Sequence, residues 1–217
     1  SPVSAKYGTP VTLTATVSGD AAGAVQFLDG SRVLGLSALA GGKATLVTDS
    51  LGAGSHSLRA TFSGDKWHVG SSSATVTVTI TRAAVSLTAP KLSATKVIWG
   101  ASTAVLSTTV TGLTEGSSIS FVSGKRTIAV GQVAKTSSGT VAKAAVSTSV
   151  PAGTYRNIKA VWSGDTNHTA ATSPASSKSL TVVKAKPTSI KVVKGSFTKG
   201  TQPKVLVLMG RLTNGQW

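Results

Sequence analysis

Four landmarks occur twice along this chain in the same order, and that repetition restricts the fold more than any other feature. "YGTPVTLTATVSG" (Tyr7–Gly19) returns as "WGASTAVLSTTVTG" (Trp99–Gly112), and "AVQFLDG" (Ala24–Gly30) as "SISFVSG" (Ser118–Gly124). "GAGSHSLRATFSGD" (Gly52–Asp65) returns as "PAGTYRNIKAVWSGD" (Pro151–Asp165), and "ATVTVTI" (Ala74–Ile80) as "KSLTVV" (Lys178–Val183). The boundaries this implies are residues 1–82, 83–185 and 186–217. The last stretch reads as the opening strands of a third, incomplete unit, because "TSIKVVKGSFTKGTQPKVLVLMG" (Thr188–Gly210) begins the pattern again. By the same comparison the first unit is expected to lack the strand-like opening that "AAVSLTA" (Ala83–Ala89) gives the second.

Within each unit the period is two. Val11, Leu13, Ala15 and Val17 alternate with Thr and Ser, as do Leu58, Ala60 and Phe62, and Val76, Val78 and Ile80. Such alternation buries one face of a strand and wets the other, as in antiparallel sheets. The runs are short, β-branched and broken by Gly, Asp, Ser and Pro every ~8–12 residues, which is the pattern of a β-sandwich. No stretch keeps a helical period. The prediction is an all-β chain of tandem antiparallel sandwiches, joined through "TRAAVS" (Thr81–Ser86) and "KAKPT" (Lys184–Thr188) into an extended rod.

These landmarks resemble tandem bacterial immunoglobulin-like (Big-type) repeats of secreted and cell-surface proteins. The resemblance rests on Tyr7-Gly8-Thr9-Pro10, Val25, Phe27, Asp29-Gly30 and Ala60–Asp65. The second unit matches at its ends and departs in the middle, where Ser123-Gly124 stands for Asp-Gly. The resemblance implies immunoglobulin-like sandwiches, an extracellular or cell-surface location and a structural or adhesive role. It implies no activity.

Two stretches hold the candidate chemistry. "FSGDKWH" (Phe62–His68) and "WSGDTNH" (Trp162–His168) each place a histidine three residues after an aspartate. A zinc site needs about three or four ligands, and each stretch offers two. A tight turn explains the residues better: Gly64 and Gly164 accept positive φ, and Asp65 and Asp165 can bond the backbone two residues on. His68 and His168 then stand where the resembled family has a packing ring. No Ser-His-Asp set or G-x-S-x-G elbow is present, and the glycine clusters precede no helix that would cradle phosphate. The expectation is a non-catalytic chain without a cofactor or metal. His56 is expected partly buried or on the surface. Trp162 is expected in the core, and Trp99 and Trp67 against the sandwich ends. Should Trp67 instead be exposed, it and Lys125-Arg126 are the candidate ligand-binding residues for a glycan or host protein.

Charge is the remaining signal. The chain has 22 Lys and Arg against 6 Asp and Glu, a formal +16. The excess rises along the sequence, from +2 through Arg82 to +8 over Ala83–Ala185 and +6 beyond. Such a field attracts polyanions, which on a bacterial surface are anionic wall polymers or glycans; scattered lysines serving solubility are the rival explanation. No nucleic-acid reading motif is recognisable and aromatics for base stacking are few, so no specific nucleic-acid partner is expected. Neighbouring repeats or other copies of the chain are candidate partners, through strand complementation. There is no cysteine and no apolar run of the ~20 residues a transmembrane helix needs.

Overall fold

The computed structural model describes the backbone of residues 3–100, 103–192 and 208–212, and side chains over 4–100 and 103–186. Every regular element among these residues is a strand. Contacts divide the chain into two units, one of residues 1–85 with 163–170 and one of residues 86–162 with 171–217.

The first unit contains β1 (Val3–Lys6), β2 (Val11–Thr16), β3 (Ala24–Asp29), β4 (Arg32–Ala38), β5 (Lys43–Thr48), β6 (Gly54–Gly64), β7 (Val69–Ser72) and β8 (Val76–Thr81). One sheet runs β1-β8-β6-β3-β4 with β7 beside β6; the other is the pair β2-β5. The period of two does what it predicts on β6, where Leu58 and Phe62 are buried. Val25 and Phe27 of β3 face inward, with Val25 opposite Phe62 of β6, and both join Ala44 in the core. A second cluster gathers Val11, Leu51, Leu58, Val78 and Ile80. Along β8 the alternation breaks at Val76, which is 53% exposed. Val76 borders a cleft of about 210 Å³ that runs along β2, and among the described residues β2 is paired on one side only, by β5.

The second unit contains β9 (Ser86–Leu87), β10 (Lys91–Leu92), β11 (Lys96–Ile98), β12 (Val105–Thr111), β13 (Ser118–Ser123), β14 (Arg126–Thr136) and β15 (Gly139–Ala145). It continues with β16 (Gly153–Tyr155), β17 (Lys159–Trp162), β18 (Ala171–Thr172) and β19 (Leu180–Val183), then β20 (Pro187–Val192) and β21 (Leu208–Leu212), which form an antiparallel pair. One sheet runs β10-β12-β15-β14-β13-β17-β18 with β9 also on β12; the other is β11-β19-β16. Its core is fuller: Leu106, Ile119, Phe121, Ile128, Ile158 and Leu180 are all fully buried. Of the expected third unit, residues 186–217, the stretches 186–192 and 208–212 with the pair β20-β21 are described, and the rest lies outside the described residues.

The sheets are not purely antiparallel. β1 runs parallel to β8, and β11 parallel to β19. These partners come from opposite ends of each unit, so no hairpin joins them and no antiparallel sense is imposed. The same pairs fix the correspondence between the repeats. Tyr7 N–H bonds the Thr81 carbonyl and Trp99 N–H bonds the Val183 carbonyl, each at 2.8 Å. Gly54 lies opposite Ile80 and Gly153 opposite Val182. Thus Tyr7 corresponds to Trp99, Ala53 to Ala152, His56 to Tyr155 and Ala83 to Ala185.

Candidate functional site

The two Ser-Gly-Asp turns are built alike. Asp65 N–H bonds the His68 carbonyl at 2.9 Å, and Asp165 N–H bonds the His168 carbonyl at 3.2 Å. Each aspartate Oδ1 accepts the backbone N–H two and three residues on, Trp67 and His68 in one turn and Asn167 and His168 in the other. Each also holds its histidine Nδ1, at 2.9 Å. Glycine is required before both aspartates. Gly64 (φ +94°) and Gly164 (φ +84°) lie in the left-handed region, and a Cβ on Gly64 would sit 2.7 Å from the His68 carbonyl.

Hydrogen bonds hold both carboxyls below the usual range. For Asp65 the largest cause is the Ala22 N–H, which donates to Oδ2 at 2.8 Å, followed by Trp67 N–H. For Asp165 desolvation pushes upward, but the His168 ring and two backbone donors outweigh it. His68 Nε2 also lies 3.2 Å from Asp20. Among the described residues no group of three His, Asp or Glu side chains is placed to share a metal. Gly64, Asp65, His68 and their counterparts Gly164, Asp165 and His168 thus build two turns of the same design.

His56 is half-buried on β6. Its Nδ1–H donates to Asp29 Oδ2 at 2.7 Å and its Nε2–H to the Gly52 carbonyl at 2.8 Å. Both ring nitrogens face acceptors, so the geometry calls for the imidazolium form. Burial pushes its pKa down, but the Asp29 hydrogen bond, the Gly52 carbonyl and the Asp29 charge together raise it above 6.5. The second unit makes the equivalent link without charge: Tyr155 Oη–H donates to the Pro151 carbonyl at 2.7 Å. Sequence reasoning placed His56 by alternation alone; the partner, Asp29, comes from the adjacent strand and shows only once β3 and β6 pair.

The tryptophans depart from expectation. Trp67 does not cover a sandwich end: it is 80% exposed, with the Lys66 ammonium 4.7 Å from its ring centroid. Trp99 is 41% exposed. Trp162 is half-buried at the end of β17, and its buried Nε1–H has no acceptor among the described residues. The other candidates, Lys125 and Arg126, are exposed in the β13–β14 turn of the second unit, while Trp67 belongs to the first. All ten Lys and Arg between Ala83 and Ala185 are exposed. Among the described residues no Lys or Arg reaches a carboxylate within ion-pair distance; the four ion pairs found are all histidine–aspartate.

Two sandwich-like units with a strand pairing of this kind define a class: immunoglobulin-like β-sandwich modules. Residues 1–81 match the family model of the bacterial Ig-like domain (group 3). No curated protein sequence matches. Among solved structures, the fibronectin(III)-like modules of Clostridium thermocellum CbhA are 14% identical, with 84% of this chain and 90% of that one covered, at a TM-score of 0.32. The titin domains Z1Z2 in complex with telethonin are 20% identical over 85% and 93%, at 0.34. The ICAM-5 D1–D4 ectodomain fragment is 19% identical over 99% and 59%, at 0.36. Bacterial Ig-like domains are structural or adhesive modules, generally non-catalytic and typically extracellular or at the cell surface. No helix among the described residues is long and apolar enough to cross a membrane.

Proposed function

We propose that the chain is a non-catalytic spacer or adhesive stalk segment of a secreted or wall-associated bacterial protein, held against anionic wall polymers by its basic second half. The observation that carries this is the set of ten exposed, unpaired basic side chains over Ala83–Ala185. Unpaired cations on a polar sheet face keep their full attraction for a polyanion, since no neighbouring carboxylate competes. Two of them fall on one cross-strand row, Lys91–Ser107–Lys143, which sets two ammoniums on the same outer face. Co-sedimentation with purified teichoic-type polymer should fall steeply between about 50 mM and about 500 mM salt, as screening predicts. Lys91→Glu with Lys143→Glu should weaken it further at low salt. Binding that ignores both salt and charge reversal overturns the electrostatic reading.

A second reading is supported by β2. Among the described residues this strand is paired only by β5, whereas β12, its counterpart, is paired by β15 on one side and by β9 and β10 on the other. An edge of this kind accepts an added strand, which suits a subunit of a surface filament joined by strand complementation. A synthetic peptide of residues 83–93, the second unit's own β9–β10 stretch, should raise the melting temperature of the protein. No shift at saturating peptide counts against the reading.

A further inference from the structure

Within the first unit, segment 163–170 is held by three separated pieces of chain. Ala53 N–H donates to Asn167 Oδ1 at 2.9 Å, and Ala83 exchanges two backbone bonds with the segment: its N–H to the Asn167 carbonyl, its carbonyl from Thr169 N–H, both 2.9 Å. Arg82 Nε–H donates to the Thr166 carbonyl at 3.1 Å, and the Tyr7 and His168 rings meet edge to face at 5.3 Å. A seat for a Ser-Gly-Asp turn is thus made of Tyr7, Gly52-Ala53 and Arg82-Ala83.

The second unit carries the corresponding residues: Trp99, Pro151-Ala152 and Lys184-Ala185. There they line an open cavity of about 480 Å³. Among the described residues nothing bonds the Ala152 N–H or the Ala185 N–H and carbonyl. Meanwhile the first repeat's own turn, Ser63–Gly70, projects Trp67 (80% exposed) and Val69 (91% exposed) into solvent.

We infer that this cavity is the seat for the Ser63–Gly70 turn of a second copy of the chain, with Trp67 filling it. The substitutions between the repeats match one another. In the occupied seat a small glycine meets a polar residue: a Cβ on Gly52 would lie 3.4 Å from Asn167 Oδ1. In the open seat Pro151 replaces Gly52 and Trp99 replaces Tyr7, which removes the polar setting and widens the apolar one. In the projecting turn Trp67 replaces Asn167, a large flat ring suited to a proline and an indole face. The backbone rails are kept: Ala185 can exchange with Trp67 and Val69 what Ala83 exchanges with Asn167 and Thr169. Because turn and seat lie on different parts of the chain, the contact is heterologous, and repeated copies add head to tail. This association is independent of the wall-polymer reading and of the open β2 edge.

Complementation between two variants tests it. Trp67→Ala removes the turn's ring and keeps the seat; Ala152→Arg fills the seat and keeps the turn; both sites are solvent-exposed. Sedimentation from about 10 µM to about 1 mM brackets weak self-association. The wild-type mass should rise with concentration, each variant alone should remain monomeric, and their equimolar mixture should form a 1:1 dimer and stop there. The inference is overturned by a wild type monomeric throughout, or by variants that associate as the wild type does, as strand exchange through β2 would produce. It is also overturned by a mixture that stays monomeric, or by an oligosaccharide that quenches Trp99 fluorescence in a strictly monomeric wild type.

Discussion

Strands β2 and β12 occupy the same place in two copies of one pattern, yet they are buried to different depths. Leu13 of β2 corresponds to Leu106 of β12, by counting back from Gly19 and Gly112. Leu106 is fully buried and Leu13 half-buried. Ala15 is half-buried where Thr108 is 2% exposed, a hydroxyl that finds the Thr88 carbonyl beside β9. The cause is the partner on the far edge. β9 and β10 close the sandwich over β12, and among the described residues nothing does so for β2. The lesson is that inward alternation grants a strand only the right to be buried; the neighbouring strand completes the burial.

The largest effect that could break this comparison is a cavity mutation on both sides. Leu106→Ala should cost about 3 kcal/mol, within the range for a fully enclosed leucine. Leu13→Ala should cost about 1 kcal/mol, because water already reaches that position and less apolar area is lost. Denaturant unfolding of each variant, compared at constant m-value, measures the difference. Equal costs would mean that β2 is closed in solution by something that pairs its free edge.

Next in size is the charged link at His56 against its uncharged counterpart at Tyr155. His56→Ala leaves a partly buried Asp29 with one fewer donor and should cost about 1–2 kcal/mol at pH 6. The wild type also gains a pH dependence. His56 has a folded pKa above its ordinary 6.5, so its contribution is fully present below 6.5 and fades as pH rises through the folded value. The second unit makes its links by hydroxyl-to-carbonyl bonds, Tyr155 to Pro151 and Ser123 to Arg156. Thermal unfolding followed from pH 6 to pH 9 should therefore lose stability in the wild type and much less in His56→Tyr. An unchanged slope in that variant would remove the histidine from the explanation.

Much of this was legible from the chain because the signals are local. The period of two placed Leu58, Phe62, Val78 and Ile80 on buried faces, because the pleat of each strand is set by its own residues. What the sequence left hidden depends on residues far apart along it. Val76 fits its alternation and is still exposed, since among the described residues no strand lies on the other side of β2. The seat at Tyr7, Ala53 and Ala83 draws on three distant stretches, and no window of neighbouring residues contains it. Trp67 was expected to cover a sandwich end because large rings usually do; its exposure follows from a turn that points outward.

A smaller contrast lies between Asn167 and Trp67, which correspond in the two turns. Asn167→Ala removes the acceptor for Ala53 N–H and should lower stability by about 1 kcal/mol. Trp67→Ala at an exposed site should change it by less than about 0.5 kcal/mol, at concentrations where the chain is monomeric. Melting curves of the two variants side by side give the comparison directly. A large loss from Trp67→Ala would return that ring to a packing role within the fold.

The finest contrast is between the two aspartates, where the bonds differ by one. Asp65 takes the Ala22 N–H in addition to the donors of its own turn, and Asp165 has no such distant donor among its bonds. Both carboxyls are held below the ordinary 3.8. Each therefore steadies its turn at pH values above that figure and loses hold as the pH falls through its lower, folded value. The extra donor makes Asp65 the later of the two to let go. Amide exchange read at His68 and His168 across an acid series should show the Asp165 turn loosening first. Asp65→Asn should bring the two turns together, because the amide keeps one acceptor oxygen but loses the charge that Ala22, Trp67 and His68 share. If His68 and His168 loosen at the same pH in the wild type, the Ala22 bond holds no weight in solution, and the turns are equal in strength as well as in form.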